Sequence, residues 1–389
     1  MSVRKRLWKT AAGEERQAWL CDYTGQSGKR HIKTFARKKD ADAFIAKAKV
    51  EVREGVHTAD SDSVTIRDAA DLWLTTGAAR GLERATLAAY EQHARLHIVP
   101  SLGRVKLSRI SAPMVRDFED RLRLTGRSLS MVRKVLTNLG SLLGDAQERG
   151  LVARNVVRDL GSRRKKGAER RAERRSKGRL KAGVDIPLPG EIRAIVGALQ
   201  GRWRPILLTA IFTGLRASEL RGLRWADVDL KQGEIHVRQR ADRYNAIGAP
   251  KSESGERTVP LPPIVANALR ELKLTCPKTD ADIVFVSSRG HIRSYSNLVK
   301  YGFHPAQVAA GIVTADGTAK YTGLHALRHF YASWCINRRE DGGLGLTPKL
   351  VQERLGHSTI GMTLDVYGHL FPRGDDGSEL AAAEKSLLG

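Results

Sequence analysis

Residues 204–220 read RPILLTAIFTGLRASEL, and the fold class turns on them. RPILLTAIF has helical spacing, Gly214 is placed to end that helix, and ASELRGL begins another. Arg216 and Glu219, three apart, then share a face of the second helix, where the carboxylate can hold the guanidinium. Outward from this centre, PGEIRAIVGALQ and PPIVANALRELK have helical period, while EIHVRQ, RTVPLP and IVFVS read as short strands. Further helices are expected at HALRHFYASWCINR, PKLVQERLG and SELAAAEKSLL, with a glycine-rich loop at Asp341–Gly345. Residues 185–389 therefore read as a mixed α/β domain, mainly helical with a small antiparallel sheet.

N-terminal to it the composition changes. Arg163, Arg164, Lys165, Lys166, Arg170, Arg171, Arg174, Arg175, Lys177, Arg179 and Lys181 are opposed only by Glu169 and Glu173. Like charge at that density resists compact folding in isolation, so residues 161–184 read as a basic interdomain linker that follows a phosphate backbone. Residues 64–160 carry no convincing strand, and Thr65, Thr86, Ser111 and Ser128 open successive helical stretches of a four-helix domain. Residues 1–60 read as strands at VRKRLWK, QAWLCDYT and RHIKTF followed by the helix KKDADAFIAKAKVEVREG, a small basic module whose polar sheet face suits a DNA groove. The whole is a multidomain chain, mainly α with small β-sheets.

The 389 residues include 67 Lys and Arg against 42 Asp and Glu, a net charge of +25. That surplus favours a polyanionic partner, with double-stranded DNA first and an anionic membrane second. A hydrophobic content of 41% separates the chain from disordered basic tails. Cys21, Cys276 and Cys335 cannot all pair and have no Cys-x-x-Cys spacing, which suits a reducing cytoplasm. The longest apolar run, Pro205 to Phe212, is far below membrane-spanning length, so neither secretion nor membrane insertion is expected.

Three stretches set cationic groups on apolar scaffolds: TGLRASEL, HALRHFY, and Leu355-Gly-His357 with Tyr367 ten residues on. In the second, His325 and Arg328 share a helix face opposite the stripe Leu327, Tyr331 and Trp334, so the pair is expected to point off the core. Singly, such residues are usually surface ion pairs, structural histidines or packing tyrosines. Together, two arginines, two histidines, Lys251 between two expected strands and a late tyrosine are what cutting a phosphodiester without metal requires. Planar, permanently charged guanidiniums stabilise the charge that grows in the five-coordinate transition state. A phenol with a pKa near 10 is a poor nucleophile, so a cationic pocket has to favour phenolate character. No Gly-x-x-x-x-Gly-Lys-Ser/Thr loop is present, and no nucleotide cofactor or metal is expected.

TGLRASEL, PKSESGERTVPL, HALRH and LGHSTIGMTLDVY, in that order, resemble the tyrosine recombinases of the phage integrase family. The likeness runs from about residue 60 to the end, and residues 1–60 more loosely resemble the arm-binding module of the larger integrases. The resemblance implies a helical core-binding domain at 64–160 and a catalytic domain at 185–389. It gives Arg216 and Arg328 as the phosphate clamp, Tyr367 as nucleophile, Lys251 as the acid on the leaving 5′ oxygen, His325 in proton transfer and His357 on the phosphate. Glu219 would position Arg216. The implied activity is site-specific DNA recombination through a 3′-phosphotyrosyl link and a Holliday junction, integrating or excising mobile DNA. It implies a homotetramer on two attachment sites, clamping of the duplex between the helical and catalytic domains, an excisionase or DNA-bending accessory protein, and a bacterial host cytoplasm. The C-terminal SELAAAEKSLL is expected to pack on a neighbouring protomer through Leu380, Ala383, Leu387 and Leu388.

Rival readings are weaker. Tyr331 is the nearest alternative nucleophile, but its neighbours Phe330 and Trp334 suit core packing. His325 and His329 lack the Glu of a His-Glu-x-x-His zinc site, and Asp227, Asp229 and Lys231 fit a turn before EIHVRQ better than a metal centre. A non-catalytic DNA-binding regulator would explain the charge but not Tyr367 among the Arg, His and Lys set, and a type IB topoisomerase would share the chemistry without site specificity.

Overall fold

The computed structural model describes residues 1–11, 13–25, 28–54, 57–164, 179–277, 281–372 and 377–389. It forms two compact units, Met1–Ala172 and Glu173–Gly389. Lys165, Lys166, Arg170, Arg171, Arg174 and Arg175 of the expected basic linker lie outside the described residues, whereas Arg163 and Arg164 end the helix Val156–Arg164.

In the first unit, strands Ser2–Lys9, Glu15–Thr24 and Arg30–Phe35 make an antiparallel sheet in sequence order. The central strand buries Ala18, Leu20, Cys21 and Tyr23, and the helix Lys38–Arg53 lays Ala41 and Ala48 against them. Small side chains on that helix let the backbones close up, as the 3.2 Å contact from Cys21 Sγ to the Ala41 carbonyl records. The strand Ser2–Lys9 is exposed almost throughout, leaving its Arg and Lys side chains to water.

Helices Ile66–Ala79, Arg84–His93, Ala112–Leu124 and Leu129–Glu148 surround a core that includes Trp73, Phe118, Leu139, Leu142 and Leu143. Thr65 starts the first of them in a reciprocal cap with Asp68, satisfying two otherwise unpaired amides. A further helix, Val156–Arg164, follows the four expected. Asp60 joins the sheet module to the bundle by accepting from Lys33 at 2.7 Å and from Ser108 at 2.6 Å.

In the second unit the helix Arg204–Thr213 is buried on nearly all sides, the burial that its continuous apolar run demands. Its sheet places Glu234–Val237 between Val228–Asp229 and Arg257–Pro260, all antiparallel, with Ile235 opposite both Val228 and Val259. A hairpin, Arg240–Ala241 with Ile247–Gly248, follows. One expectation needs correction. IVFVS forms no strand but isolated bridges, Ile283 to Arg224 and Val286 to Ile292, because it crosses from one partner to another within a few residues. Residues 295–309 are helical, with a wider turn at Val299–Phe303 between Tyr295–Leu298 and His304–Ala309. The C-terminal helix Ser378–Leu388 exposes Leu380, Leu387 and Leu388. Among the described residues, no helix is long and apolar enough to cross a membrane.

Candidate active site

The candidate residues converge where two glycine-terminated helices leave carbonyls without helical partners. Arg204–Thr213 stops at Gly214, with φ 61°, and Pro348–Leu355 stops at Gly356, with φ 63°. Both glycines are required twice over. A Cβ at Gly214 would lie 2.3 Å from Tyr331 Cδ1, and one at Gly356 would lie 2.8 Å from the Ser254 carbonyl oxygen.

Two arginines cap these ends. Arg328 donates from Nη1 to the Gly214 carbonyl and from Nη2 to that of Leu355, both at 2.6 Å. Arg216 donates from Nη2 to the Gly356 carbonyl at 2.8 Å. Arg328 is 3% exposed, so the expectation that the His325–Arg328 pair points off the core holds only for His325, which is exposed. The reason is the pull of two helix ends: bonds to carbonyls replace the water that the guanidinium loses. Burial, then the nearby Arg216 charge, lowers its pKa to about 10, which leaves it protonated at neutral pH.

Glu219 fixes the other arginine. Its carboxylate accepts from Arg216 Nη1 at 2.7 Å and from the Arg216 backbone N–H at 2.8 Å, closing the start of the helix Ala217–Gly222. It also accepts from Arg257 Nη2 at 2.8 Å. Burial alone would raise its pKa, but Arg257 and then Arg216 overturn that and hold it at about 2. Arg257 Nε donates to the Arg354 carbonyl at 2.8 Å and so ties the sheet strand to the second helix end. Lys251 lies exposed on the segment leading into that strand.

Tyr367 ends the helix Ile360–Tyr367, which Thr359 caps by accepting from the Met362 N–H at 3.3 Å. Its side chain is 2% exposed, and its Oη is hydrogen-bonded to His329 Nδ1 at 2.8 Å. His357 lies parallel to it, ring centroids 6.3 Å apart, and is fixed by Thr363 Oγ1 at 2.9 Å from Nδ1. Burial pushes the phenol up to about 12 against the lowering effect of Arg328 and Arg216. The two guanidiniums act in the direction expected of a cationic pocket, but burial outweighs them. His329 and His357 are both pushed down to about 4 by burial, then by neighbouring His325 and Arg328 for His329, and by Arg328 and Arg216 for His357. The pKa of His325 is also lowered, first by loss of water around the ring and then by Arg328 and Arg216.

Arg216, Glu219, Arg328, His357 and Tyr367 thus share one neighbourhood, with His325 beside it, its ring edge-on to His329 at 4.5 Å between centroids. Tyr331 is buried beneath Gly214 in the core. Asp227 is held by Arg224 at 2.7 Å and Arg238 at 3.2 Å, and Asp229 accepts from the Lys231 and Gln232 amides in a turn. Arg257, Thr363 and His329 were not singled out for this neighbourhood from sequence. Arg257 stands at the end of the quoted PKSESGER, but its role depends on a partner 38 residues away. His329 adjoins Arg328 in HALRH, yet only the packing of Tyr367 against it gives it a partner.

The profile of the Phage integrase family matches residues 189–373. A tyrosine recombinase XerC-like protein of Caldanaerobacter subterraneus subsp. tengcongensis is 27% identical over 376 residues, 90% of each chain. The ICEBs1 integrase of Bacillus subtilis is 25% identical over 291 residues, 71% of each chain. Among solved structures, the Tn1549 transposon integrase in complex with a circular intermediate DNA superposes with a TM-score of 0.62 at 20% identity, over 83% of this chain and all of that one. A lambda integrase tetramer bound to a Holliday junction gives 0.54 at 17% identity, over 91% of this chain and 95% of that one.

Proposed function

Because this chain belongs to the phage integrase family of tyrosine recombinases, we propose that it is a site-specific DNA recombinase that integrates or excises mobile DNA. The observation that carries the reading is the meeting of two carbonyl-anchored guanidiniums with a buried tyrosine hydroxyl at the ends of separate helices. Arg216 and Arg328 each keep donors beyond those spent on carbonyls, and these clamp the scissile phosphate. As Tyr367 Oη attacks phosphorus, the five-coordinate transition state gains charge between the two arginines, whose positions are set before the DNA arrives. His357, fixed by Thr363, donates to a phosphate oxygen, and Lys251 protonates the leaving 5′ oxygen. Glu219 acts by positioning, since it aims Arg216 and neutralises Arg257.

Cleavage leaves a 3′-phosphotyrosyl link and a free 5′-hydroxyl, and attack by a partner strand's 5′-hydroxyl exchanges the joints through a Holliday junction. The bond energy held in the phosphotyrosine removes the need for a nucleotide cofactor. We assign residues 1–60 to arm-type DNA, 64–160 to core-site binding, 161–184 to a phosphate-following linker and 185–389 to catalysis. Four protomers act on two duplexes in the host cytoplasm, helped by a DNA-bending or excisionase protein. The exposed positive strand Ser2–Lys9 supports the first assignment.

The test is incubation with a library of nicked duplex sites in EDTA, followed by denaturing electrophoresis and sequencing of the junctions. A detergent-stable protein–DNA adduct that Tyr367→Phe abolishes is the expected result. Tight binding with no adduct on any site would instead mark a non-catalytic DNA-binding protein.

A further inference from the structure

Resting on that reading, we propose that His329 is the general base that removes the phenolic proton from Tyr367. The contact is direct: His329 Nδ1 lies 2.8 Å from the Oη that would attack phosphorus. General-base geometry asks for this reach and for a ring able to accept. His325, the imidazole first expected to handle protons, stands one turn earlier on the same helix, on its open side, and meets His329 edge-on instead.

The surroundings supply the second argument. His329 faces His325 and Arg328 from its own helix, Asp185 from the segment preceding Pro189–Ala198, and Tyr367 from the helix Ile360–Tyr367. Burial, then His325 and the Arg328 guanidinium, keep the ring neutral, and burial keeps the phenol protonated. The Nε2–H tautomer then leaves Nδ1 free to accept the O–H of Tyr367. Between this phenol and this neutral imidazole the proton rests on oxygen.

An arriving phosphodiester changes both partners. Its negative charge offsets Arg328 and raises the proton affinity of His329. Formation of the Oη–P bond lowers that of the phenolic oxygen. In cleavage the Tyr367 O–H bond breaks with its proton passing to His329 Nδ1, the Oη–P bond forms, the P–O5′ bond breaks, and O5′ takes a proton from the Lys251 ammonium. Resealing runs in reverse: Lys251 amine takes the proton of the attacking 5′-hydroxyl, and the His329 imidazolium returns its own to Tyr367. No proton is gained or lost over the cycle.

The experiment compares full-length wild type, Tyr367→Phe, Lys251→Ala, His329→Ala and His329→Gln on a normal site and on one with sulfur in place of the bridging 5′ oxygen. A thiolate leaves without a proton, so the sulfur substrate bypasses the acid but not the base. Expected is recovery of Lys251→Ala on sulfur DNA, with both His329 variants about 10²-fold slow or worse on both substrates at unchanged DNA affinity. Cleavage by His329→Ala should also rise about tenfold per pH unit above neutrality, as hydroxide replaces the lost base, where wild type is flatter. His329→Gln keeps a hydrogen bond to the phenol but cannot take its proton, so wild-type cleavage by that variant would overturn the proposal and leave positioning alone. Recovery of His329→Ala on sulfur DNA would overturn it too, by making His329 part of the acid. An adduct on Tyr367→Phe would overturn the nucleophile assignment itself and this inference with it.

Discussion

Replacing Glu219 by Gln keeps the shape of the side chain and removes the charge that two arginines share. Arg257 suffers most: its side chain is 6% exposed, and Glu219 is its ion-pair partner at 2.8 Å. Removing one partner of a buried pair costs about 3–5 kcal/mol, because the other charge stays out of water uncompensated. Gln retains one acceptor oxygen, which places the expected loss near the lower end, about 3 kcal/mol. For a unit of this size that is a fall in Tm of roughly 6–12 °C. The assay is thermal and urea unfolding of the full chain at several pH values. Glu219 has its folded pKa depressed from 4.5 to about 2, so its contribution is fully present above pH 4.5 and is lost as pH falls toward 2. Wild type and Glu219→Gln should therefore differ most at neutral pH and converge under acid. A difference below about 1 kcal/mol at pH 7, or one that survives unchanged to the lowest pH at which the chain stays folded, would show that Arg257 does not depend on the Glu219 charge.

Gly214→Ala forces a left-handed φ of 61° on a residue whose Cβ falls 2.3 Å from Tyr331. The backbone strain and overpacking together should destabilise by about 2–5 kcal/mol in denaturant unfolding and slow cleavage by displacing the carbonyl that holds Arg328. DNA affinity should fall about 10³-fold or more between 50 and 200 mM salt in a titration, since many phosphate contacts release counterions. Deleting residues 375–389 should leave unfolding within about 0.5 kcal/mol of wild type, because the leucines it removes are exposed, while weakening assembly on DNA measured by sedimentation.

Local chemistry was legible in the sequence. Gly214 and Gly356 announced helix ends, and Arg216 with Glu219 at three-residue spacing announced the carboxylate that holds that guanidinium. What escaped was set by contacts between distant segments. Periodicity put Arg328 on the polar side of its helix, but two carbonyls from elsewhere in the chain draw it inward. IVFVS has strand composition yet only single bridging partners, and Thr363 and Arg257 owe their roles to side chains brought to them by the fold. The raised pKa of Tyr367 also follows from depth, which spacing does not report.

Chemistry at Tyr367 requires that its Oη become bonded to the DNA 3′-phosphate. Trapping the protein on a nicked site in the presence of EDTA, digesting the adduct and sequencing the peptide that retains the 3′-phosphate should locate the link on Tyr367. A link on Tyr331 or on any other residue, or an adduct that forms only when magnesium is restored, would contradict it.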